Sequence, residues 1–485
     1  MKLIFRADGG AAMGLGHLIR SSALADMIST YFPILFLVND DSPEGIKTDL
    51  AKKYEILTAK NDAELLNSID KGDGVILDGY HFSSDFQMEI KKKAAVLISI
   101  DDVHDKHFFS DLVINQALGI TARDYSAEPY TKFLFGPRYC IVRRPFLVNQ
   151  NKYHYDKTPG IIFICFGGSD FQNITLSLLR ELVVPSNNLR FNVVVGVAYQ
   201  HLEELEKFAE LTNSVVNIYS GLGAAELSEL IRSSDIAIAP GSSILLEILS
   251  SGIPAISGYY AENQLDIYNG YLQEGLLIGA GDFRNTREAA RIITNTLDRT
   301  PPIDSQKLSY YFDGNSPSRL LKEFIQLFSG SCLSLNPVTN EDSKLLFEWA
   351  NDTETRNNAI NTKPILWEEH TKWFLDKQKS PDTIMFIAKF NGLPVGQIRF
   401  DGGHEFIDLT YSVAPSHRGV GFGSCIVQQA IKEVSELFPI SRKIRAFVID
   451  HNLSSAKIFR KMNFKECQMV IKEGRNFYQF QYSLN

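Results

Sequence analysis

Over residues 1–330, short apolar runs alternate with amphipathic stretches. Each apolar run ends in polar residues, which is typical of parallel strands that are covered on both faces. The runs predict strands at 3–5, 33–38, 74–80, 95–102, 112–115, 160–166, 192–197, 214–219 and 235–240. The stretches between them predict helices at 18–28, 173–183, 227–231, 244–250 and 317–328. This alternation indicates an α/β fold with two Rossmann-like domains, 1–150 and 151–330, that face a cleft.

The pattern changes after Cys332. The runs there predict strands at 333–337, 383–389, 394–400, 406–413 and 443–449, and helices at 342–350, 424–438 and 452–461. Asn391-Gly392 separates two of these runs and is typical of a hairpin turn. We therefore predict a mixed α/β domain over 333–485, with a linker at 329–334.

Length and composition fit a globular protein of two or three domains, with 485 residues, of which 44% are hydrophobic and 22% charged. The net charge of −8 argues against general binding to nucleic acid. The five cysteines show no CxxC spacing, which favours a reducing compartment over a disulfide framework or a zinc site. No signal peptide or membrane span is expected. We predict a cytoplasmic protein that requires no metal.

Two glycine-rich turns follow predicted strands and precede predicted helices. The first is Gly14-Leu15-Gly16, directly before His17, and the second is Gly167-Gly168-Ser169. Glycine lets the backbone approach a ligand closely, and a helix N-terminus favours an anion. A neutral imidazole at His17 would accept a proton near pH 7, so the turn is a candidate phosphate site beside a base. The residues alone support equally a tight turn in which His17 caps the helix.

Polar residues also follow the predicted strands that end near residues 80 and 102. For Asp78, Asp101 and Asp102, each taken alone, turn and N-cap chemistry is the favoured interpretation. Tyr80 is less easily explained as a cap, because a phenol at a strand end can both donate and accept hydrogen bonds.

A third glycine motif, Arg418-x-x-Gly421-x-Gly423, lies between a predicted strand and a long predicted helix. Successive N–H groups of such a loop can bind a pyrophosphate. With this motif, residues 333–470 resemble the Gcn5-related N-acetyltransferase (GNAT) family. The segments 349–352 and 367–374 resemble its members that acylate amino groups of proteins or sugars. The resemblance implies an acetyl-CoA site formed by Val413, Arg418, Gly419, Val420, Gly421, Gly423, Asn452 and Ser455.

Two positions depart from the GNAT pattern. Phe459 stands near the place where many members carry a tyrosine that protonates the leaving CoA thiolate, and Asn463 replaces the usual glycine before Phe464. The proton donor is therefore open between Tyr411, His404 and water, and a domain that acetylates slowly or not at all is a further alternative.

Residues 1–330 contain seven separated motifs. They are, in chain order, Arg6-Ala7-Asp8-Gly9 with His17 and Arg20; Asp78-x-Tyr80; Ile100-Asp101-Asp102; 111–116; Gly136-Pro137-Arg138-Tyr139 with Arg143 and Phe146; Gly167-Gly168-Ser169-Asp170; and Ser242-Ser243 with Glu247 and Asn263-Gln264. In these motifs and their order, this part of the chain resembles the UDP-sugar hydrolases of pseudaminic acid biosynthesis. The resemblance implies the GT-B arrangement of two Rossmann-like domains and removal of UDP from UDP-2,4-diacetamido-2,4,6-trideoxy-β-L-altropyranose.

The same resemblance implies residue roles. His17 would act as the base for the attacking water or support the leaving diphosphate, and Tyr80 would hold the sugar or the water. The implied UDP-sugar site comprises Arg6, Asp8, Gly14, Gly16, Asp78, Gly168, Ser169, Ser242, Ser243, Glu247, Asn263 and Gln264, with Glu247 on the ribose hydroxyls. Because no carboxylate pair suited to a glycosidase is evident, we expect displacement at the anomeric carbon assisted by His17.

Together the resemblances predict one chain that N-acetylates the 4-amino group of a UDP-sugar and then removes UDP. Its partners would be the UDP-sugar and acetyl-CoA, with no nucleic acid or membrane. Three alternatives stay open: a GT-B glycosyltransferase, a non-catalytic UDP-sugar sensor with a degenerate acetyltransferase, and a relative that acts on another diamino sugar.

Overall fold

The apolar runs form the strands of three large sheets in the computed structural model. The structure describes residues 1–9, 15–94, 96–147, 159–183, 189–212, 214–298, 303–435 and 443–483. The chain divides into two compact units, Met1–Leu320 and Leu321–Asn485, called here the N-terminal and C-terminal units. The N-terminal unit holds two parallel sheets, and the C-terminal unit holds one mixed sheet.

The first sheet has seven parallel strands in the order β3-β2-β1-β4-β5-β7-β9, and β6 and β8 form a small separate pair. Its strands and that pair are β1 (Leu3–Ala7), β2 (Ile34–Asn39), β3 (Glu55–Ala59), β4 (Gly74–Asp78), β5 (Val96–Ile100), β6 (His107–Phe108), β7 (Leu112–Asn115), β8 (Ser126–Ala127) and β9 (Lys132–Phe135). The helices are α1 (Gly16–Ile28), α2 (Glu44–Ala51), α3 (Asp62–Ser68) and α4 (Ser84–Lys93).

The second sheet has six parallel strands in the order β12-β11-β10-β13-β14-β15. They are β10 (Ile161–Ile164), β11 (Arg190–Val195), β12 (Val215–Ser220), β13 (Ile236–Pro240), β14 (Ala255–Tyr259) and β15 (Ile278–Asp282). The helices that follow in chain order are α5 (Ile174–Leu182), α6 (Leu202–Leu211), α7 (Ala224–Arg232), α8 (Ser243–Ser250), α9 (Leu265–Glu274), α10 (Thr286–Leu297), α11 (Ser305–Tyr311) and α12 (Ser316–Cys332).

The mixed sheet has the order β16-β17-β18-β19-β20-β22-β21, in which the pair β19–β20 is parallel and the other pairs are antiparallel. Its strands are β16 (Leu333–Pro337), β17 (Thr383–Phe390), β18 (Leu393–Gly402), β19 (Phe406–Val413), β20 (Lys443–Ile449), β21 (Lys465–Lys472) and β22 (Arg475–Ser483). The helices are α13 (Ser343–Ala350), α14 (Thr353–Asn358), α15 (Trp367–Lys379), α16 (Phe422–Ser435) and α17 (Leu453–Lys461). The predicted fold class, parallel α/β sheets followed by a mixed α/β sheet, is confirmed.

Burial explains several of the strands that the apolar pattern predicts. Every residue of β1, β4 and β5 is buried, because helices cover both faces of the sheet centre. The pattern does not predict the edge strands β3 and β9, in which exposed positions interrupt the apolar ones. It also does not predict the C-terminal hairpin β21–β22, whose first strand is largely exposed.

The predicted linker at 329–334 is wrong. Helix α12 continues to Cys332, and β16 begins at the next residue. The division between the two units falls within α12, after Leu320. Predicted elements at 95 and at 436–438 lie outside the described residues. None of the described helices combines the length and apolarity required to cross a bilayer.

Candidate active sites

In the first sheet, the candidate residues gather where the strand order reverses. Strands β1 and β4 are neighbours, and their chains then continue to opposite sides of the sheet. Ligands of parallel α/β sheets bind outside the carboxyl ends of the strands at such a switch point. Asp8 follows β1, Asp78 ends β4, and His17 lies in the first turn of α1.

His17 is held by Asp78. The ring Nδ1 lies 2.7 Å from Asp78 Oδ1, and the exposed fractions of the two residues are 6% and 0%. Burial alone would raise the pKa of Asp78, but the charge of Arg20 and the hydrogen bonds from His17 and Arg20 hold it at about 2. An ionised carboxylate only accepts, so Nδ1 carries the hydrogen and donates it. The ring Nε2 is then the nitrogen that remains to accept a proton.

Arg20 links Asp78 to a second carboxylate. It donates from Nε and Nη2 to Asp78 at 3.0 and 2.6 Å, and from Nη1 to both oxygens of Asp102 at 2.8 and 2.9 Å. Burial opposes the charged form of Arg20, yet Asp102 and Asp78 raise its pKa well above the usual value. Asp101, by contrast, has a turn role, because its Oδ2 accepts from the backbone N–H groups of Val103 and His104.

Tyr80 joins this cluster to the second sheet of the same unit. Its ring packs edge-on against His17 at 4.7 Å between centroids. Its hydroxyl donates to Asp102 Oδ2 at 3.1 Å and accepts from Asn263 Nδ2 at 2.8 Å. Burial raises the pKa of Tyr80, so the phenol is neutral at physiological pH. Asn263 thereby contacts Tyr80, one of the two predicted catalytic residues.

A second histidine lies beside the same switch point. His81 Nε2 lies 3.2 Å from Asp8 Oδ2, while Arg6 Nη1 donates to Asp8 Oδ1. Burial would raise the pKa of Asp8, but hydrogen bonds from His81 and Arg6 lower it to about 2. Within the described residues, Arg6 Nε is buried without a partner. The sequence motifs do not single out His81, although it directly follows Tyr80.

Of the predicted glycine turn before His17, Gly14 lies outside the described residues, and Gly16 is the first residue of α1.

The second glycine turn lies at the switch point between β10 and β13. Gly168 packs so closely on Gly196 that a Cβ on Gly196 would lie 2.1 Å from Gly168 O. The carboxylate of Asp170 accepts from the N–H groups of Ile174 and Thr175 at 3.0 and 2.9 Å. The first N–H groups of α5 are thus already capped, and Gly168 and Ser169 remain half-buried beside them.

Helix α8 and the loop after β14 carry the remaining predicted residues of this half. Ser242 and Ser243 begin the helix and are half-buried. Glu247 is 5% exposed and accepts two hydrogen bonds of 2.7 Å from Arg143, which is not among the predicted site residues. The predicted ribose ligand is therefore a paired carboxylate. Gln264 is buried, and its Oε1 accepts from the backbone of Tyr260 at 2.9 Å, so it shapes the loop after β14.

The C-terminal unit contains a separate cleft of about 1210 Å³. Its origin is the parallel pair β19–β20, which is hydrogen-bonded only over Phe406–Asp408 and then opens. The cleft is lined by the later residues of both strands, by the glycine loop and by the start of α17. Of the predicted acetyl-CoA residues, Val413, Arg418, Gly419, Gly421, Gly423, Asn452 and Ser455 line it, and Val420 does not.

Arg418 of the glycine loop is already engaged. Its guanidinium donates to Asp352 at 2.5 Å, to Thr355 Oγ1 at 2.8 Å and to Glu354 at 3.0 Å. Burial would raise the pKa of Asp352, but the hydrogen bond and the charge of Arg418 lower it below its ordinary value. Asp352 is therefore ionised beside Arg418. The positive charge of Arg418 is therefore balanced by two carboxylates.

Tyr411 is the candidate proton donor that the cleft favours. It lines the cleft, and its hydroxyl lies 3.0 Å from Ser455 Oγ. Burial raises the pKa of Tyr411 to about 12, so it carries its proton at neutral pH. His404 is exposed and does not line the cleft. Phe459 is 2% exposed and packs against Tyr411 with 5.8 Å between ring centroids, so it supports that ring.

Across the described ranges, no group of three or more His, Cys, Asp or Glu side chains is placed to hold a metal ion.

Residues 333–465 match the family model of the acetyltransferase (GNAT) domain. The C-terminal part of the chain is a GNAT domain. The match covers β16 through α17 and therefore contains the glycine loop and most of the cleft.

Three relatives extend the comparison to the rest of the chain. An uncharacterized protein of Methanocaldococcus jannaschii is 24% identical over 505 residues, which cover 98% of each chain. The UDP-2,4-diacetamido-2,4,6-trideoxy-β-L-altropyranose hydrolase of Campylobacter jejuni is 28% identical over 275 residues, 54% of this chain and 93% of that protein. The spore coat polysaccharide biosynthesis protein SpsG of Bacillus subtilis is 24% identical over 284 residues, 57% of this chain and 82% of that protein. Both resemblances predicted from the sequence are confirmed.

Proposed function

We propose that this chain catalyses two consecutive reactions on one UDP-sugar. The GNAT domain transfers an acetyl group from acetyl-CoA to the 4-amino group, and the N-terminal unit then hydrolyses the product to UDP and the free diacetamido sugar. The proposal is supported by the similarity to the altropyranose hydrolase and by the GNAT domain on the same chain. UDP-2,4-diacetamido-2,4,6-trideoxy-β-L-altropyranose is the proposed substrate of the hydrolytic step.

The observation that carries the hydrolytic step is the hydrogen bond from His17 Nδ1 to the buried carboxylate of Asp78. It leaves Nε2 as a base. A water oxygen bonds to the anomeric carbon while the bond from that carbon to the diphosphate oxygen breaks. The proton of the water passes to His17 Nε2, and the electron pair of the broken bond leaves with UDP. Such general-base assistance contributes about 10²–10⁴-fold to a rate.

The neighbouring residues have supporting roles in this proposal. Tyr80 contacts the sugar or the water, since its ring lies against His17 and its hydroxyl joins the carboxylate and amide network. Asp78 positions His17 and Arg20 and does not contact the ligand, because its side chain is fully buried. Arg6 and Asp8 line the sugar side, and the turn at Gly14 and Gly16 receives the diphosphate.

The uridine is proposed to lie on the second sheet. Ser242, Ser243 and the backbone at Gly168 and Ser169 offer hydrogen bonds at the switch point. Glu247 would use the acceptor capacity that remains on its oxygens beside Arg143, since each carboxylate oxygen can accept a second hydrogen bond. Asn263 connects this half to Tyr80, and Gln264 holds the loop that carries it.

In the acetyl transfer, the neutral amine attacks the thioester carbonyl carbon, and the carbon–sulfur bond breaks. The thiolate takes its proton from Tyr411, the amine loses one to solvent, and the Tyr411 phenolate regains a proton from solvent. Asn452, whose Oδ1 caps α17 through Ser455 N at 3.1 Å, places Ser455 beside Tyr411. Placement of the two reactants provides most of the acceleration.

The test uses the intact chain with acetyl-CoA and the UDP-sugar that bears a free 4-amino group. We expect acetyl-CoA consumption, followed by UDP release without any added acceptor. His17→Ala should lower UDP release by about 10²–10⁴-fold and leave acetyl transfer unchanged. UDP release that requires a carbohydrate acceptor would assign a glycosyltransferase instead. Binding of UDP without turnover would assign a sensor, and loss of both activities in His17→Ala would contradict separate sites.

A further inference from the structure

One face of α12 lies along the glycine loop of the C-terminal unit. Lys322, Gln326 and Ser329 are spaced so that they share one side of the helix. A Cβ on Gly421 would lie 3.0 Å from Lys322 Cγ and 3.7 Å from Gln326 Nε2. One turn further, the Ser329 hydroxyl hydrogen-bonds the buried thiol of Cys425 in α16. The helix therefore covers both the loop and the first turn of α16.

Lys322 places a positive charge without an ion-pair partner, among the described residues, at the edge of the cleft. Lys322 and Gln326 both line it, although they precede the residues that match the GNAT family model. The Lys322 side chain is exposed, and its ammonium group has no ion-pair partner among the residues that the structure describes. Arg418, on the same loop, has its charge balanced by Asp352 and Glu354.

We propose that Lys322 binds the diphosphate of acetyl-CoA, with Gln326 as a neutral donor beside it. This rests on the proposed acetyl-CoA site. A diphosphate on this loop would meet the N–H groups at the start of α16, which favour an anion. A cation that is free to pair with the diphosphate would strengthen this binding, and Lys322, which lines the cleft beside Gly421, can supply one. The helix before the family domain thus completes the cofactor site.

The test compares the dissociation constants of CoA and dephospho-CoA for the full chain by calorimetry. Lys322→Glu should weaken both ligands by about tenfold or more, since a charge-assisted contact is lost and a repulsive one is introduced. Lys322→Arg should stay within about twofold of the unsubstituted chain, because it keeps the charge. Lys344→Glu is the matched control, since this exposed lysine of α13 lies outside the cleft.

Each other result has a distinct meaning. Equal affinities for Lys322→Glu and the unsubstituted chain would overturn the proposal. A loss for CoA but not for dephospho-CoA would also overturn it, because the lysine would then contact the 3′-phosphate. The same loss in Lys344→Glu would reveal a general charge effect and overturn it as well. If the unsubstituted chain binds neither ligand, the proposed acetyl-CoA site itself fails.

Discussion

Asp78 determines what His17 can do. It is fully buried, and it remains ionised because Arg20 and His17 lower its pKa to about 2 against the cost of burial. The ionised form fixes the hydrogen of the imidazole on Nδ1. Asparagine, the neutral isostere, can present either its accepting oxygen or its donating NH2 group to His17. The imidazole could then carry its hydrogen on Nε2 instead of Nδ1.

Asp78→Asn should therefore impair hydrolysis while the overall fold persists. We expect the rate of UDP release to fall by about 10²–10⁴-fold, because His17 Nε2 is no longer held as the free base. UDP release is followed with the acetylated UDP-sugar, and acetyl transfer by the same preparation is the control. Unchanged UDP release would show that Asp78 does not orient the base.

Asp78→Asn should also change how the stability of the folded chain depends on pH. The pKa of Asp78 in the folded chain, about 2, lies below its ordinary value of 3.8. Its stabilising contribution is therefore fully present above about pH 4 and is lost as the pH falls toward 2. Asp78→Asn should be less stable at neutral pH, since Arg20 loses a partner, and its melting temperature should fall less over that acid range.

The sequence predicts the role of an individual residue only where neighbouring residues in the chain indicate it. The glycine turn before His17 identifies a candidate base, but no local pattern states that its partner is 61 positions away at Asp78. The pairing of Arg143 with Glu247 is missed for the same reason. His81 belongs to none of the sequence motifs, so its position beside Asp8 becomes evident only in the folded structure.

Among the structural elements, burial on both faces made the central strands of the first sheet predictable. A continuous apolar run predicts β1 and β4. In β3, exposed residues interrupt the apolar ones, so no such run predicts it. The direct step from α12 to β16 is also not predicted by the pattern. Helix α12 keeps an apolar face through Phe328 and continues into β16 without a flexible segment, so composition does not mark a linker there.

The loop between β19 and α16 offers a test at the level of an element. Gly421 has a φ of +101°, which L-residues rarely adopt, and an added Cβ would meet Lys322 at 3.0 Å. Gly421→Ala should raise the KM for acetyl-CoA by about tenfold or more, because the loop must shift to accommodate the methyl group. Steady-state acetyl transfer measures this effect.

Gly392→Ala is the matched control for backbone strain. Gly392 has a φ of +83° in the β17–β18 hairpin, and an added Cβ would find no atom within 4 Å. Both variants should lose about 1–2 kcal/mol of stability. Only Gly421→Ala should change the KM; an equal rise in Gly392→Ala would indicate that lost stability, not loop geometry, causes the effect.

For the whole molecule, the two candidate sites are built from different parts of the chain. The described residues of the proposed hydrolytic site fall between Arg6 and Gln264, and those that line the cleft fall between Lys322 and Phe477. The two compact units divide at Leu320. The relative from Methanocaldococcus jannaschii matches 98% of this chain, so its similarity extends over both parts.

Because each site draws its residues from one unit, two defective chains should complement each other in a mixture. His17→Ala supplies acetyl transfer, and Gly421→Ala supplies hydrolysis at acetyl-CoA concentrations below its raised KM. We expect the mixture to form the free sugar after a lag that shortens as the concentration of Gly421→Ala rises, because the acetylated UDP-sugar must diffuse between chains. Chromatography of the sugar products over time measures the lag. If each variant performs its own step but the mixture forms no free sugar, the intermediate is not released, and the two reactions require one chain.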